Sequence, residues 1–243
     1  TGQKWSNTDV ELECGSGVLP LVYMKSSPVH SVQWAIGLEV MLLIDDPWKT
    51  IMTTDHPNGG IFTQYPQLLT WLMSRKARDD TAKECHKWAY EKSTLGGVDR
   101  ELSLYEMAIV TRANPARTIG MAYRKGHLGA GADGDVTIYD IDPASLNPND
   151  TSALTAKLAR PGYTIKDGRI VARQGEIVSV PEGRRFYCQP YVDEDLEKDM
   201  LKDVKDWFKY YTVGFANYPV PDKYLKNPVA IPVNQPLEAV MRR

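Results

Sequence analysis

The feature that most constrains the fold of this chain is the shortage of strands in its first 120 residues. Helical and strand-like patterns alternate there in α/β order, and the candidate strands are residues 10–14 and 48–54. A parallel sheet of two strands would leave its edges open and its faces uncovered. We therefore predict that this part belongs to a larger α/β domain, whose other strands come from residues before Thr1 or from another chain.

The composition limits the classes of protein and partner. The 243 residues are 42% apolar, enough to build a core, and 29 basic against 31 acidic residues leave a net charge of -2 without a long run of either sign. This balance argues against nucleic acid and against an anionic membrane as partners. The longest apolar run, residues 40–44, is too short to span a bilayer, and the N-terminus lacks the regions of a signal peptide. We expect a cytoplasmic protein.

Several helices are predicted in the first half. Apolar residues recur at a helical period from Val29 to Leu43, and the Asp-Asp-Pro sequence that follows ends this helix. A long helix is predicted over residues 65–92. Ser103 and Glu106 have the spacing of a capping box, which starts a further helix. Asn114-Pro115 is predicted to break it, with a second short helix running to Gly120.

The second half changes character. Residues 126–142 and 163–180 are short alternating strands around Gly and Asp-Gly turns, which predicts a small β-rich module. An amphipathic helix over residues 193–211 and a proline-rich tail that wraps a surface complete the chain.

Asp55 and His56 are the strongest candidates for chemistry. They follow the predicted strand 48–54 and precede a Pro-Asn-Gly-Gly turn. A carboxylate at the C-terminal end of a barrel strand can bind a metal ion and accept a proton from water, and His56 can bind substrate. However, an aspartate before such a turn is also ordinary turn chemistry, and spacing alone favours that interpretation.

The remaining histidines and cysteines do not predict a metal site. No HxH or HxxxH spacing occurs among the histidines, and the three cysteines are far apart without a CxxC pair. These residues are His30, His86, His127, Cys14, Cys85 and Cys188.

Residues 111–142, "TRANPARTIGMAYRKGHLGAGADGDVTIYDID", resemble the C-terminal signature of the amidohydrolase superfamily. There an Asn-Pro-Ala-Arg helix end leads through a glycine-rich turn to a strand of a small β-sandwich. One departure is Gly134, where the family often has alanine, and we expect it to affect a strand entry alone. The resemblance implies an α/β chain: the last strands and helices of a (β/α)8 barrel over residues 1–120, a β-sandwich module over 121–185, and a C-terminal helix and tail over 186–243.

Residues 30–78, 99–117 and 210–220 are similar to the C-terminal portion of the amidohydrolase subunit of the formylmethanofuran dehydrogenases, a family within that superfamily. The resemblance implies a binuclear zinc centre, with Asp55 matching the aspartate of the last barrel strand as metal ligand and catalytic residue. The HxH pair and the carboxylated lysine of the family have no counterpart in this chain. His56 and Asn58 are implied as contacts to the substrate.

The resemblance also implies a reaction and partners. In the family, carbon dioxide is reduced to formate at a tungsten or molybdenum pterin site of a partner subunit, alongside iron–sulfur clusters. The formate then condenses with the primary amine of methanofuran at the zinc centre, as a step of methanogenesis. The expected partners are the remaining N-terminal part of the amidohydrolase subunit and the other subunits of that complex.

Three alternatives remain open at this point. The first is the hydrolase subunit of a formyltransferase/hydrolase complex, which releases formate. The second is a hydantoinase- or dihydroorotase-like enzyme, against which residues 210–220 argue. The third is a non-catalytic scaffold, because most of the metal ligands are missing from this chain.

Overall fold

The computed structural model describes residues 23–56, 60–189, 192–207, 227 and 229–232. The candidate strand over residues 10–14, the candidate site residue Asn58 and most of the proline-rich tail lie outside these ranges. The chain forms two compact units, Thr1–Ser179 and Val180–Arg243. Among the described residues, no helix has the length and apolar character needed to cross a membrane.

The first predicted helix is confirmed as α1, Pro28–Leu43. Pro28 takes the first helical turn, where a missing N–H costs nothing, and the Ser27 side chain caps the helix. The apolar positions that predicted the helix, such as Ile36 and Val40, are about half exposed, at 52% and 51%. The buried face consists of Ser31, Ala35, Leu38, Met41 and Leu42. Helix α1 is therefore apolar on two opposite faces.

The long helix predicted over residues 65–92 is wrong in its continuity. Three helices occupy this range: α2 (Tyr65–Met73), α3 (Arg75–Ala82) and α4 (Lys87–Glu91). The break after α2 has a tertiary cause, because its last carbonyl oxygens accept hydrogen bonds from outside the helix. The Leu102 N–H donates to the Leu72 carbonyl at 2.9 Å, and buried Arg78 donates to the Trp71 carbonyl at 2.8 Å. Ser74 then caps the start of α3.

The capping box is confirmed. The Ser103 hydroxyl accepts from the Glu106 N–H, and the Glu106 carboxylate accepts from the Ser103 N–H, at the start of α5. Helix α5 (Leu104–Ala108) is followed directly by a π-helical turn (Ile109–Ala113) and by α6 (Asn114–Thr118). Asn114-Pro115 therefore does not interrupt the helical path, because a π turn absorbs the proline.

The strand predicted over residues 48–54 is wrong in the ranges that the structure describes. Residues Pro47–Lys49 form a 3-10 turn, which the Asp46 carboxylate caps by accepting the Trp48 N–H at 3.0 Å. Residues 50–54, here named the 50–54 segment, are neither helical nor paired in a sheet. A strand pattern needs a neighbouring strand to form a ladder, and among the described residues up to 135 no strand is present.

The β-rich module is confirmed as one four-stranded antiparallel sheet in the order β1-β2-β3-β4. Its strands are β1 (Val136–Ile138), β2 (Tyr163–Lys166), β3 (Arg169–Arg173) and β4 (Glu176–Ile177). Helix α7 (Thr151–Ala159), which the sequence did not predict, lies between β1 and β2 and packs on α2. The second sheet of the expected sandwich is not among the described residues, and neither are the expected barrel strands.

The core of the first unit joins the helices to one another. It is built from buried residues of α1, α2, α5 and α7 together with loop residues. The Thr70 and Thr155 hydroxyls, 2.7 Å apart, connect α2 with α7. The second unit contains β5 (Phe186–Gln189), paired in parallel with β6 (Val229–Pro232), and the predicted C-terminal helix, seen as α8 (Glu194–Trp207).

Gly134 has a larger role than the sequence indicated. A Cβ atom at this position would lie 2.7 Å from the Gly168 backbone nitrogen, and the Gly168 N–H donates to the Gly134 carbonyl at 2.8 Å. Glycine is therefore required for the close approach of this loop to the β2–β3 turn. The expectation that this departure from the family affects a strand entry alone is wrong, because it fixes a contact between two backbones.

Candidate active site

The site residues follow a chain turn that Arg100 stabilises. Its guanidinium donates to the carbonyl oxygens of Leu42 and Ile44, at the end of α1, at 3.1 and 2.5 Å. The same group pairs with Glu106 at 2.7 Å, so one cation connects the end of α1 with the start of α5. Because helix ends leave carbonyl groups without intrahelical donors, this contact both caps α1 and fixes where the chain leaves it.

Two hydrogen bonds connect the 50–54 segment to the π turn and α6. The Met52 N–H donates to the Val110 carbonyl at 3.1 Å. The Asn114 side-chain amide donates to the Thr50 carbonyl at 2.7 Å, and Asn114 is buried, with 4% exposure. The π turn therefore fixes the path of the segment that leads to the candidate site.

The segment keeps the alternation that predicted a strand. Thr50, Met52 and Thr54 are buried, whereas Ile51 and Thr53 are exposed. The alternation ends at Asp55, which is exposed and has a φ of 50°. Its N–H donates to the Thr53 hydroxyl at 3.2 Å. A left-handed conformation is uncommon for residues other than glycine and is frequent at functional sites.

His56 has a defined orientation beside Asp55. Its Nδ1 accepts the Phe62 N–H at 3.3 Å, and the two rings meet edge to face with centroids 4.5 Å apart. Since Nδ1 accepts a hydrogen bond, we assign the proton of the neutral imidazole to Nε2. His56 therefore offers an N–H donor through Nε2.

Tyr23 is a neighbour of Asp55 that the sequence did not indicate. Burial raises the pKa of the Tyr23 phenol, and the negative charge of Asp55 raises it further. The phenol thus remains protonated near the carboxylate. Its ring contacts His30, whose Nδ1 accepts the Met24 N–H at 2.8 Å. No spacing rule links Tyr23 to Asp55, because tertiary structure alone brings them near each other.

The described residues do not form a complete metal centre. They contain no group of three or more His, Cys, Asp or Glu side chains that could hold a metal ion. Asp55 can supply one carboxylate ligand, which is too few for the two zinc ions that the resemblance implies. Two cavities, of about 180 and 460 Å³, are lined by other residues than Asp55 and His56. Asp55 and His56 are both exposed.

The sequence predicted part of this arrangement. Asp55 and His56 lie side by side at the end of an alternating segment, as predicted, while Asn58 is outside the described residues. The contribution of Asn114 was missed, because the Asn-Pro pair was interpreted as a helix break. The sequence around Asn114 also contains Thr111, Arg112 and Arg117, so it gave no signal that this amide is buried.

Comparison with known proteins defines the class of this chain. The model of the amidohydrolase family matches residues 1–172, and the chain belongs to this family. The predicted likeness to the amidohydrolase subunit of formylmethanofuran dehydrogenase is also confirmed, by the relatives described next.

Two relatives specify the type of amidohydrolase. The chain is 45% identical to Protein FwdA of Methanocaldococcus jannaschii, over 92% of this chain and 39% of that protein. It is 37% identical to the A subunit of the formyltransferase/hydrolase complex Fhc of Methylorubrum extorquens, over 90% of this chain and 38% of that protein. The chain therefore spans less than two fifths of the length of these relatives.

A solved structure agrees with this relationship. The chain resembles one chain of the crystal structure of the formyltransferase/hydrolase complex FhcABCD from Methylorubrum extorquens in complex with methylofuran. The TM-score is 0.71 at 34% sequence identity, and the match covers 88% of this chain and 38% of that chain. An α/β amidohydrolase fold for the complete subunit follows from the family and from this likeness.

Proposed function

We propose that this chain forms one wall of the active site of an amidohydrolase subunit that condenses formate with methanofuran. The reverse reaction hydrolyses formylmethanofuran. The observation that carries the proposal is Asp55, an exposed carboxylate in a left-handed conformation at the end of a segment fixed by two hydrogen bonds. The likeness to FwdA, at 45% identity, supports this reaction.

Asp55 would act as the proton carrier. When formate and a primary ammonium group form an amide and water, two protons leave the nitrogen and both end on the departing oxygen. A carboxylate beside the reacting carbon can accept each proton and pass it on, since its position serves both atoms. His56 would donate its Nε2–H to a substrate oxygen, and Asn58 would contact the same substrate.

The binuclear zinc centre would be shared with residues outside this chain. Asp55 would supply one ligand, and the histidines and the carboxylated lysine would come from the N-terminal part of the amidohydrolase subunit. Zinc polarises a carboxylate or carbonyl oxygen and stabilises negative charge that develops on it. Formate would come from a partner subunit that reduces carbon dioxide at a tungsten or molybdenum pterin. Iron–sulfur clusters would lie in partner subunits of the same complex.

A second candidate function has its own support. The solved relative is a formyltransferase/hydrolase complex with methylofuran bound, and we expect a complex of that type to act without a redox partner. The hydrolytic site would be the same, and formate would be released. Co-purification with a pterin-metal subunit distinguishes the two functions.

The test uses the complete complex with Asp55→Asn. Asparagine tolerates the left-handed conformation, so the change removes the charge and retains the backbone. We expect formylmethanofuran hydrolysis to fall by at least about 100-fold. The matched control is Asp45→Asn, an exposed aspartate before the same segment, which should retain the wild-type rate.

Zinc analysis of the wild-type complex accompanies the assay. A wild-type complex with neither zinc nor hydrolytic activity would favour the non-catalytic scaffold. A fully active Asp55→Asn complex would exclude Asp55 as the proton carrier.

A further inference from the structure

The 50–54 segment is hydrogen-bonded to two groups of the π turn and α6. One is the Val110 carbonyl, which accepts the Met52 N–H at 3.1 Å. The other is the Asn114 side chain, which donates to the Thr50 carbonyl at 2.7 Å from a buried position. Helical carbonyls are normally occupied by the N–H four residues later, so the availability of the Val110 carbonyl needs an explanation.

The Asn-Pro pair supplies that explanation. The Asn114 N–H, which an α-helix would direct to Val110, donates to the Ile109 carbonyl instead and closes the π turn. The next residue is Pro115, which has no N–H. Neither the α-helical nor the π-helical donor therefore reaches the Val110 carbonyl, and it is free to accept Met52.

A second carbonyl shows the same effect of the proline. Pro115 is also the residue whose N–H an α-helix would direct to the Thr111 carbonyl. The Arg112 guanidinium donates to this carbonyl at 3.1 Å. Pro115 thus removes one possible helical donor from each of two successive carbonyl groups, and each accepts a hydrogen bond from a different source.

The chemistry of Asn114 fits the contact with Thr50. A carbonyl oxygen requires a donor, so the amide nitrogen must face Thr50 and the amide oxygen must point elsewhere. An aspartate would have the same shape but would place a carboxylate against the Thr50 carbonyl. The contact is therefore specific for an amide over an isosteric acid.

We propose that Asn114 and Pro115 are positioning residues for Asp55. They fix the 50–54 segment at Thr50 and Met52, which sets where the Asp55 carboxylate stands relative to the substrate. The inference rests on the proposed role of Asp55 in catalysis. Thr50 and Met52 precede Asp55 by five and three residues, and a displacement of about 1 Å in a catalytic group can cost about 100-fold in rate.

The test uses the complete complex with Asn114→Asp and Pro115→Ala. The first removes the donor without changing the shape, and the second restores an N–H that competes for the Val110 or Thr111 carbonyl. Hydrogen exchange of the Met52 amide should become about 3- to 10-fold faster in both, the equivalent of one hydrogen bond. The kcat of formylmethanofuran hydrolysis should fall by about 10- to 100-fold in Asn114→Asp and less in Pro115→Ala, with KM little changed.

Matched controls are Asn147→Asp and Pro143→Ala, which make the same changes in an exposed loop. If Asn114→Asp does not fold, Pro115→Ala decides, since it adds no buried charge. Unchanged Met52 exchange in the folded variants overturns the inference, and so does faster exchange with an unchanged kcat. An inactive wild-type complex, or an active Asp55→Asn complex, would instead overturn the proposed function, and Met52 exchange would still decide whether Asn114 and Pro115 fix the segment.

Discussion

Two loops of this chain are supported to very different degrees. The loop from Arg124 to Asp135 joins the helices to the sheet, and ion pairs and backbone contacts hold it at many points. The 50–54 segment with Asp55 is connected to the π turn and α6 by two hydrogen bonds. The loop that joins the helices to the sheet is therefore the more strongly supported of the two. The segment is held instead by these two hydrogen bonds and by burial of Thr50, Met52 and Thr54, without an ion pair among the described residues.

The ion pairs of the first loop form a chain of alternating charges. Arg124 pairs with Asp133 at 2.7 Å, Lys125 pairs with Asp133 and Asp135, and Lys166 of β2 pairs with Asp135 at 2.6 Å. All four members within the loop are less than one third exposed. Ion pairs of this kind, arranged as a network, contribute more than isolated surface pairs.

Backbone conformation separates the two loops as well. The first loop places glycine where φ is positive, at Gly126 and Gly131. The candidate site instead places Asp55 in that conformation. Glycine relieves the strain of a left-handed backbone, whereas aspartate retains part of it. Asp55 therefore retains part of this strain, as does Asp167 in the β2–β3 turn, whereas Gly126 and Gly131 of the first loop do not.

The largest loss of stability is expected from Gly126→Ala. A Cβ there would lie 2.8 Å from the Arg112 carbonyl oxygen, and φ is 79°. We expect a loss of ~3 kcal/mol in the free energy of unfolding, from left-handed strain plus overpacking. Thermal unfolding should move down by roughly 6–12 °C. Gly131→Ala is the control, because Gly131 also has a positive φ but has open space around it. Its loss of stability should come from left-handed strain alone. Equal losses in the two variants would contradict the close contact.

A smaller loss of stability is expected at low pH. Burial opposes the charge of Asp135, but hydrogen bonds from Lys125, Lys166 and the Asp167 N–H hold the pKa of its carboxyl well below the usual range. The pKa of Asp133 is also lowered, by Arg124 and Lys125 against the effect of burial. Stability from such groups is present above the unfolded pKa of about 3.9 and is lost as the pH falls through the folded-state values.

Urea unfolding measured from pH 6 downward tests this effect. The free energy of unfolding should fall below about pH 4, and it should fall less in Asp135→Asn than in the wild type. The control Asp45→Asn removes an exposed carboxylate that has no ion-pair partner among the described residues and should follow the wild type. Parallel curves for the wild type and Asp135→Asn would contradict the contribution of the network.

The smallest effect on the free energy of unfolding is expected at the candidate site. In Asp55→Gly, relief of the left-handed strain outweighs the greater entropy of glycine in the unfolded chain, so the free energy of unfolding should stay level or rise by up to ~1 kcal/mol. Hydrolytic activity of the complete complex should be lost in the same variant. A clear loss of stability would show that the Asp55 side chain makes native contacts, and the contrast between the two loops would then fail.

The sequence predicted features whose causes are local. The capping box needs only Ser103 and Glu106, which are three positions apart. The alternation of buried and exposed residues over 50–54 follows from the order of side chains within five residues. The predictions from sequence were wrong where a feature depends on residues that are distant in the chain. The helix break before Ser74 depends on donors from Arg78 and Leu102, and the contact between Asn114 and the 50–54 segment joins residues that are 64 positions apart.

The candidate site follows the same division. Asp55 was predicted because its neighbours in the chain resemble a known family, whereas the effect of its charge on Tyr23 and the contact of Asn114 with Thr50 arise through folding alone. Neither the metal centre that the resemblance implies nor a partner strand for residues 48–54 is among the described residues.

The hydrogen bond from Asn114 to Thr50 also has a consequence for the order of synthesis. The two residues are 64 positions apart, so the ribosome makes the 50–54 segment well before the amide that holds it. At typical rates of translation the delay is about 3 to 13 seconds. During that time the segment is a β-branched strand pattern without its native contacts, the kind of sequence that associates with other chains. The path of the segment that leads to the candidate site is thus completed only after Asn114 has been synthesised.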